Sequence, residues 1–216
     1  MINIGVLASG RGSNFQAILD ARDRGLFEAR VVLLIVDNPD AYALTRAARH
    51  GVESLCIDPR EFASGDAFYG RIARELTGRN VDLVLLAGFM RVVGKPLLEA
   101  FPLRVMNIHP ALLPSFPGLH GQAQALEYGV KVSGCTVHFV DEGVDTGPII
   151  IQAAVPVLDG DTEESLSARI LAQEHRIYPE AVRLFAEGRL EVAGRKVFAR
   201  GSASPAGTLT NPPEGF

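Results

Sequence analysis

The sequence predicts an α/β protein: an open, mostly parallel sheet that turns antiparallel toward its C-terminal part, flanked by helices. Three observations carry this expectation. Short apolar runs rich in β-branched residues recur at Ile4 to Ala8, Val31 to Val36, Val81 to Ala87 and Val105 to Ile108, each bounded by turn residues, as buried parallel strands are. Between them, Phe15 to Arg24, Tyr42 to His50 and Phe62 to Leu76 place apolar residues three and four apart, the period of an amphipathic helix. Farther along, Val132 to Val140 and Ile149 to Val157 read as strands joined only by Asp141 to Pro148, a connection too short for a crossover, so they pair antiparallel. Alternating strands and helices with right-handed crossovers make the first part Rossmann-like.

The remaining elements follow in order. Glu163 to Glu187 offers one long helix, interrupted or kinked near Pro179, with Asp161 or Thr162 as its cap. Leu190 to Val192 and Lys196 to Phe198 form a small edge hairpin around Gly194. From Gly201 the composition turns to Gly, Ser, Pro, Thr and Asn, so residues 201–216 are expected to be a flexible tail behind a single domain of residues 1–200.

Composition bounds the function. The chain has 216 residues, 47% hydrophobic and 21% charged, enough apolar material for a sizeable core. With 21 Lys and Arg against 25 Asp and Glu, the net charge of −4 supplies no basic field for a nucleic acid. The longest uncharged apolar stretch, Leu83 to Met90, is far below the roughly 20 residues of a membrane span. Met1 to Ala8 runs directly into strand-like sequence with no leader pattern, so the expected setting is cytoplasmic. Cys56 and Cys135 lie in no paired-metal spacing, so neither a disulfide framework nor a zinc site is expected, and both read as reduced core thiols.

Two clusters carry chemistry. The first predicted strand ends in Ser9-Gly10-Arg11-Gly12-Ser13-Asn14, and a helix starting near Ser13 points its unpaired amides at whatever occupies that turn, which favours an anion. A third fingerprint glycine is missing, since Phe15 stands there, and no Walker lysine follows, so a monophosphate suits the loop better than a dinucleotide or ATP. The second cluster starts with Asn107 and His109, two apart on one strand and therefore on one face near the carboxyl edge where open α/β sheets bind ligands. Singly, each is an ordinary structural residue. The glycine-bounded loop Asp141 to Pro148 supplies a carboxylate, Asp145, able to keep the His109 imidazole protonated and oriented. An imidazolium and an amide NH2 converging on one point suit an oxyanion at a tetrahedral carbon, hence acyl transfer. No Gly-x-Ser-x-Gly elbow is present, so direct attack by an amine is preferred over a covalent intermediate.

Four ordered motifs then resemble one family. Ser9 to Asn14, Leu86-Ala87-Gly88-Phe89-Met90-Arg91, Asn107-Ile108-His109-Pro110-Ala111-Leu112-Leu113-Pro114, and Gly134 to Val140 with Val144-Asp145-Thr146-Gly147 are similar to the phosphoribosylglycinamide formyltransferases over about residues 1–190. The resemblance implies the formyltransferase fold, with a phosphate-binding half of about 1–100 and a folate-binding half of about 101–200. It implies transfer of a formyl group from 10-formyltetrahydrofolate to the amine of glycinamide ribonucleotide in purine synthesis, without metal. Residue by residue, it implies Asn107, His109 and Asp145 as catalytic, Gly12, Ser13 and Asn14 on the substrate phosphate, and Met90 and Glu174 at the glycinamide end. The resemblance also implies a pterin held between Phe89, Arg91, Val92 and Val93 and the loop Asp141, Glu142, Gly143, Val144, largely through backbone groups. His120 either supports Asp145 and its water or faces solvent, His138 is structural or stands with Thr136 behind the catalytic groups, and His50 and His175 read as surface or packing residues. Two positions depart from relatives. Gly65 stands where an arginine meets the folate glutamate tail, leaving Arg60 or Arg91 to replace it; Leu171 stands where a polar side chain helps the phosphate.

Other readings differ in partner. A methionyl-tRNA formyltransferase carries a basic C-terminal domain for which residues 190–216 are too few. A formyltetrahydrofolate deformylase passes the formyl group to water and adds an N-terminal regulatory domain, and a noncatalytic nucleotide- or folate-binding module leaves Asn107, His109 and Asp145 without purpose. The expected partners are small molecules, with no nucleic acid or membrane, and monomer and homodimer fit equally.

Overall fold

The computed structural model describes residues 1–201. Its element order is β1 (Ile2–Ala8), α1 (Ser13–Asp23), β2 (Ala29–Val36), α2 (Ala43–Arg49), β3 (Ser54–Cys56), α3 (Gly65–Thr77), β4 (Leu83–Leu86), α4 (Lys95–Ala100), β5 (Val105–His109), α5 (Gly121–Tyr128), β6 (Val132–Phe139), β7 (Ile149–Pro156), α6 (Glu163–Ala186), β8 (Leu190–Ala193) and β9 (Lys196–Ala199). The strands form one nine-stranded sheet in the order β3-β2-β1-β4-β5-β6-β7-β9-β8. Pairing is parallel from β3 through β5 and antiparallel for β5/β6 and β6/β7, with β9 parallel to β7 and antiparallel to β8. The mixed α/β class thus holds, and the terminal hairpin sits at the sheet edge.

Both faces of the parallel strands are covered, which explains their near-continuous apolar character. Ile4, Val6 and Ala8 of β1 pack with α1 and α6 on one face, while Leu7 with Ile35 and Leu86 packs against Phe68, Ile72 and Leu76 of α3 on the other. The reversal of strand order falls between β1 and β4, so the loops leaving these two strands diverge and open a crevice at their carboxyl ends.

The structure corrects several expectations. The helix α6 runs from Glu163 to Ala186 through Pro179 with no interruption. Proline costs it one backbone hydrogen bond, but Ile170, Tyr178, Ala181 and Val182 are fully buried against the sheet, and that packing holds the helix together. The Tyr178 hydroxyl also donates to the Leu86 and Met106 carbonyls at 3.1 and 3.0 Å, bolting α6 across β4 and β5. Thr162 is the cap, in a reciprocal capping box with Ser165. Cys56 is exposed rather than a core thiol, because it ends the short edge strand β3; Cys135 is buried in β6 and its thiol is pushed up to about 12 by that burial. The elements β3, α4 and α5 are too short for their periodicity to stand out. Apart from Gly201, the tail expected at 201–216 lies outside the described residues.

Candidate active site

The carboxyl ends of β1, β4 and β5 bring the predicted residues to one edge. The loops after β1 and β4 are stitched together: the Ser9 amide donates to the Gly88 carbonyl at 3.0 Å, and the Met90 amide donates to Ser9 Oγ at 3.0 Å. Gly12 precedes α1 with φ 65°, a conformation open to glycine, and a side chain there would meet the Ala43 Cβ at 2.8 Å. No side chain caps α1, so its first amides keep their donor capacity. Asn14 is buried; its Nδ2 donates to Glu174 Oε2 at 2.7 Å while its Oδ1 has no donor. Burial pushes the Glu174 carboxyl up, and the hydrogen bond from Asn14 pulls it partly back.

Asn107 and His109 share a face of β5, and the antiparallel register sets His138 opposite Asn107 and Thr136 opposite His109. Asn107 Nδ2 lies 3.2 Å from His138 Nε2. His138 Nδ1 faces the Phe139 carbonyl at 2.8 Å and donates there, so Nε2 is the nitrogen turned to Asn107 and Asp145. Asn107 Nδ2 also donates, over a longer distance, to Asp145 Oδ1. Asp145 enters from the β6–β7 loop at φ 54°, with Oδ2 3.4 Å from His109 Nδ1 and Oδ1 3.6 Å from His138 Nε2 and 3.5 Å from Asn107 Nδ2. Burial pushes the Asp145 carboxyl up, but hydrogen bonds from His138 and the Gly118 amide, with the histidine charges, hold it below the usual carboxylate range. The predicted trio therefore converges, and His138 joins it.

The loop after β5 completes the arrangement. Thr136 Oγ1 donates to the Ala111 carbonyl at 2.7 Å and accepts from the Leu113 amide at 3.0 Å, fixing the chain leaving His109. The Phe116 carbonyl sits 2.8 Å from His109 Nε2, and the Gly118 amide donates to Asp145 Oδ2 at 2.8 Å. Both His109 nitrogens thus face oxygen acceptors, which an imidazolium satisfies with two donors. These partners are backbone groups of a loop, invisible to any reading of side-chain types. His120 caps α5, is exposed, and lines the cleft.

That cleft encloses about 580 Å3 between Phe89 to Val93, Asn107 to Pro110, Gly118 to His120 and Gly143 to Asp145. Asp141 and Glu142 are not in its wall; Asp141 instead ties the loop, accepting from the Gly143 amide at 3.1 Å and Thr146 Oγ1 at 2.6 Å. A second hollow of about 490 Å3 shares Met90, Arg91 and Val92 with it and runs along Pro59 to Tyr69. Arg91 pairs there with Asp37 at 2.6 Å, while Arg60 is taken up by Asp58.

The chain is similar to known formyltransferases over most of its length. The phosphoribosylglycinamide formyltransferase of Escherichia coli K12 is 40% identical over 94% of this chain and 96% of its own length. A glycinamide ribonucleotide transformylase structure from Symbiobacterium toebii superimposes with a TM-score of 0.91 at 61% identity, covering 92% of this chain and 94% of that one. The trifunctional purine biosynthetic protein adenosine-3 of Drosophila melanogaster is 51% identical over 86% of this chain, which spans 14% of that protein's length. The formyl transferase family matches residues 2–182, and this chain belongs to it.

Proposed function

We propose that this chain transfers the formyl group of 10-formyltetrahydrofolate to the amine of glycinamide ribonucleotide, a step of de novo purine synthesis. The observation that carries the proposal is the meeting of Asn107, His109 and Asp145 at the carboxyl end of β5, in a sheet whose first strand leads into an uncapped helix start. Gly12, Ser13 and Asn14 take the phosphate, the unpaired Asn14 Oδ1 and Glu174 face the sugar and glycinamide side, and Met90 contributes its backbone. The pterin occupies the 580 Å3 cleft and its tail follows the hollow along Arg91.

In the reaction the amine nitrogen attacks the formyl carbon, and the former carbonyl oxygen becomes an oxyanion. Asn107 Nδ2, whose bond to Asp145 is long, and His109 Nε2 donate to it, the oxyanion taking the acceptor position that the Phe116 carbonyl holds without substrate. Asp145 keeps His109 charged and, through a water, passes the amine proton toward the folate nitrogen as the bond from the formyl carbon to that nitrogen breaks. The proposed setting is the cytoplasm.

Incubating the pure protein with 10-formyltetrahydrofolate, with and without glycinamide ribonucleotide, tests this. Formyl loss only with the amine present is the expected result. Loss to water alone identifies a deformylase, and no loss under either condition leaves a binding module; either overturns the proposal.

A further inference from the structure

We propose that Arg46 is a positioning residue for phosphate recognition, holding the Arg11–Gly12 peptide so that the Gly12 amide is aimed into the anion cradle. The inference rests on the phosphate reading of the Gly12 to Asn14 loop and adds a residue from a different element to it. The helix α2 lies against this loop and grips it by two successive carbonyls: the Ala43 amide donates to Gly10 O at 3.1 Å, and Arg46 Nε donates to Arg11 O at 2.9 Å.

The second bond decides the direction of a donor. The Arg11–Gly12 peptide is trans, so its carbonyl and its N–H point in opposite directions. With the carbonyl pinned on Arg46, the Gly12 N–H is turned away from that guanidinium, and Gly12 is the residue that leads into the uncapped start of α1. A cationic donor on the carbonyl also polarises the peptide and strengthens its N–H as a donor to an anion. The guanidinium is itself held on three sides. Besides the Arg11 carbonyl, Gln16 Oε1 accepts from Arg46 Nη1 at 2.9 Å, and the Tyr42 ring lies 5.0 Å from the guanidinium carbon.

Gln16 is fixed in turn. Its Nε2 donates to Asp20 Oδ1 at 2.7 Å and lies 3.0 Å from His50 Nε2, while His50 Nδ1 is 3.2 Å from Asp23 Oδ2. The loop is therefore braced by a chain of polar contacts reaching down α1. The planar fork matters, because one guanidinium reaches a backbone carbonyl and a side-chain amide together, and an ammonium in its place is a single compact charge. His50, read from the sequence as a surface or packing residue, belongs to this brace.

The test titrates the full chain with inorganic phosphate while following the Gly12 amide resonance, for the parent, Arg46→Met and Arg46→Lys. Phosphate is expected to shift the parent's Gly12 amide. Arg46→Met is expected to move that resonance before any phosphate is added and to weaken phosphate binding about tenfold or more, the scale of a lost charge-assisted hydrogen bond. Arg46→Lys falls between the two and gives the answer if the methionine variant fails to fold. In steady state the loss appears mainly in KM for the phosphorylated amine, whereas an amine substrate lacking the phosphate is handled by parent and variant alike. If the parent's Gly12 amide ignores phosphate, the cradle reading fails and this inference with it. If the parent responds and the variants bind phosphate within twofold of it, or lose the unphosphorylated substrate equally, only the role of Arg46 is overturned.

Discussion

Replacing Asp145 by asparagine perturbs the proposed chemistry with little change of shape. The asparagine carbonyl can still accept the Gly118 amide that Asp145 Oδ2 now accepts at 2.8 Å, so the loop keeps its anchor. What disappears is a negative charge 3.4 Å from His109 Nδ1. At an effective dielectric of about 20, two unit charges at that distance attract by roughly 5 kcal/mol. The retained amide dipole reduces this, and the expected loss is about 3 kcal/mol, the scale of one removed electrostatic stabiliser. Each 1.4 kcal/mol is a factor of about ten in rate, so turnover falls on the order of 10²-fold. Initial rates at saturating formyl donor and amine, followed by absorbance of the deformylated folate, measure it, with thermal unfolding in parallel as the control. A variant within about threefold of the parent turnover, with the parent's pH profile, refutes the assignment of Asp145. The same carboxyl predicts a pH effect on stability. Because its folded value lies below the ordinary 3.8, its ionised form stabilises the fold above that value, and the contribution is lost as pH falls through the folded value; the parent therefore loses more Tm on acidification below 3.8 than Asp145→Asn does.

Asn107→Ala removes an oxyanion donor and is expected to lower kcat by about 10²- to 10³-fold in the same rate assay. Glu174→Gln keeps an acceptor for Asn14 but removes a carboxyl whose value burial raises; the penalty of its ionised form grows as pH climbs above the ordinary 4.5, so the variant shows a higher Tm at neutral pH while its KM for the ribonucleotide rises. Gly147→Ala drives a new Cβ to 1.8 Å from the Phe139 carbonyl oxygen, and chemical denaturation should register a loss of about 3 kcal/mol together with the loop that carries Asp145.

The parallel half of the sheet was legible because strands buried on both faces are written as unbroken apolar runs, and Ile4 to Ala8 or Val105 to Ile108 need no partner to be recognised. The elements β3, α4 and α5, of three, six and eight residues, lack an unbroken apolar run and complete too few turns or alternations to declare themselves. The interruption expected at Pro179 is absent for a different reason. A local rule of helix breaking was set against the burial of a long amphipathic face, which only the packed sheet reveals.

Residue types determined the candidates: a glycine-serine-asparagine turn after a strand, and Asn107, His109 and a loop carboxylate with no other evident use. Tertiary structure alone decided how they meet. The β5–β6 register sets His138 against Asn107, the backbone of Phe116 and Gly118 occupies His109 and Asp145, and α2 brings Arg46 to the peptide before Gly12. Side-chain chemistry travels with the sequence, whereas register, backbone hydrogen bonds and helix docking exist only once distant segments have been packed against one another.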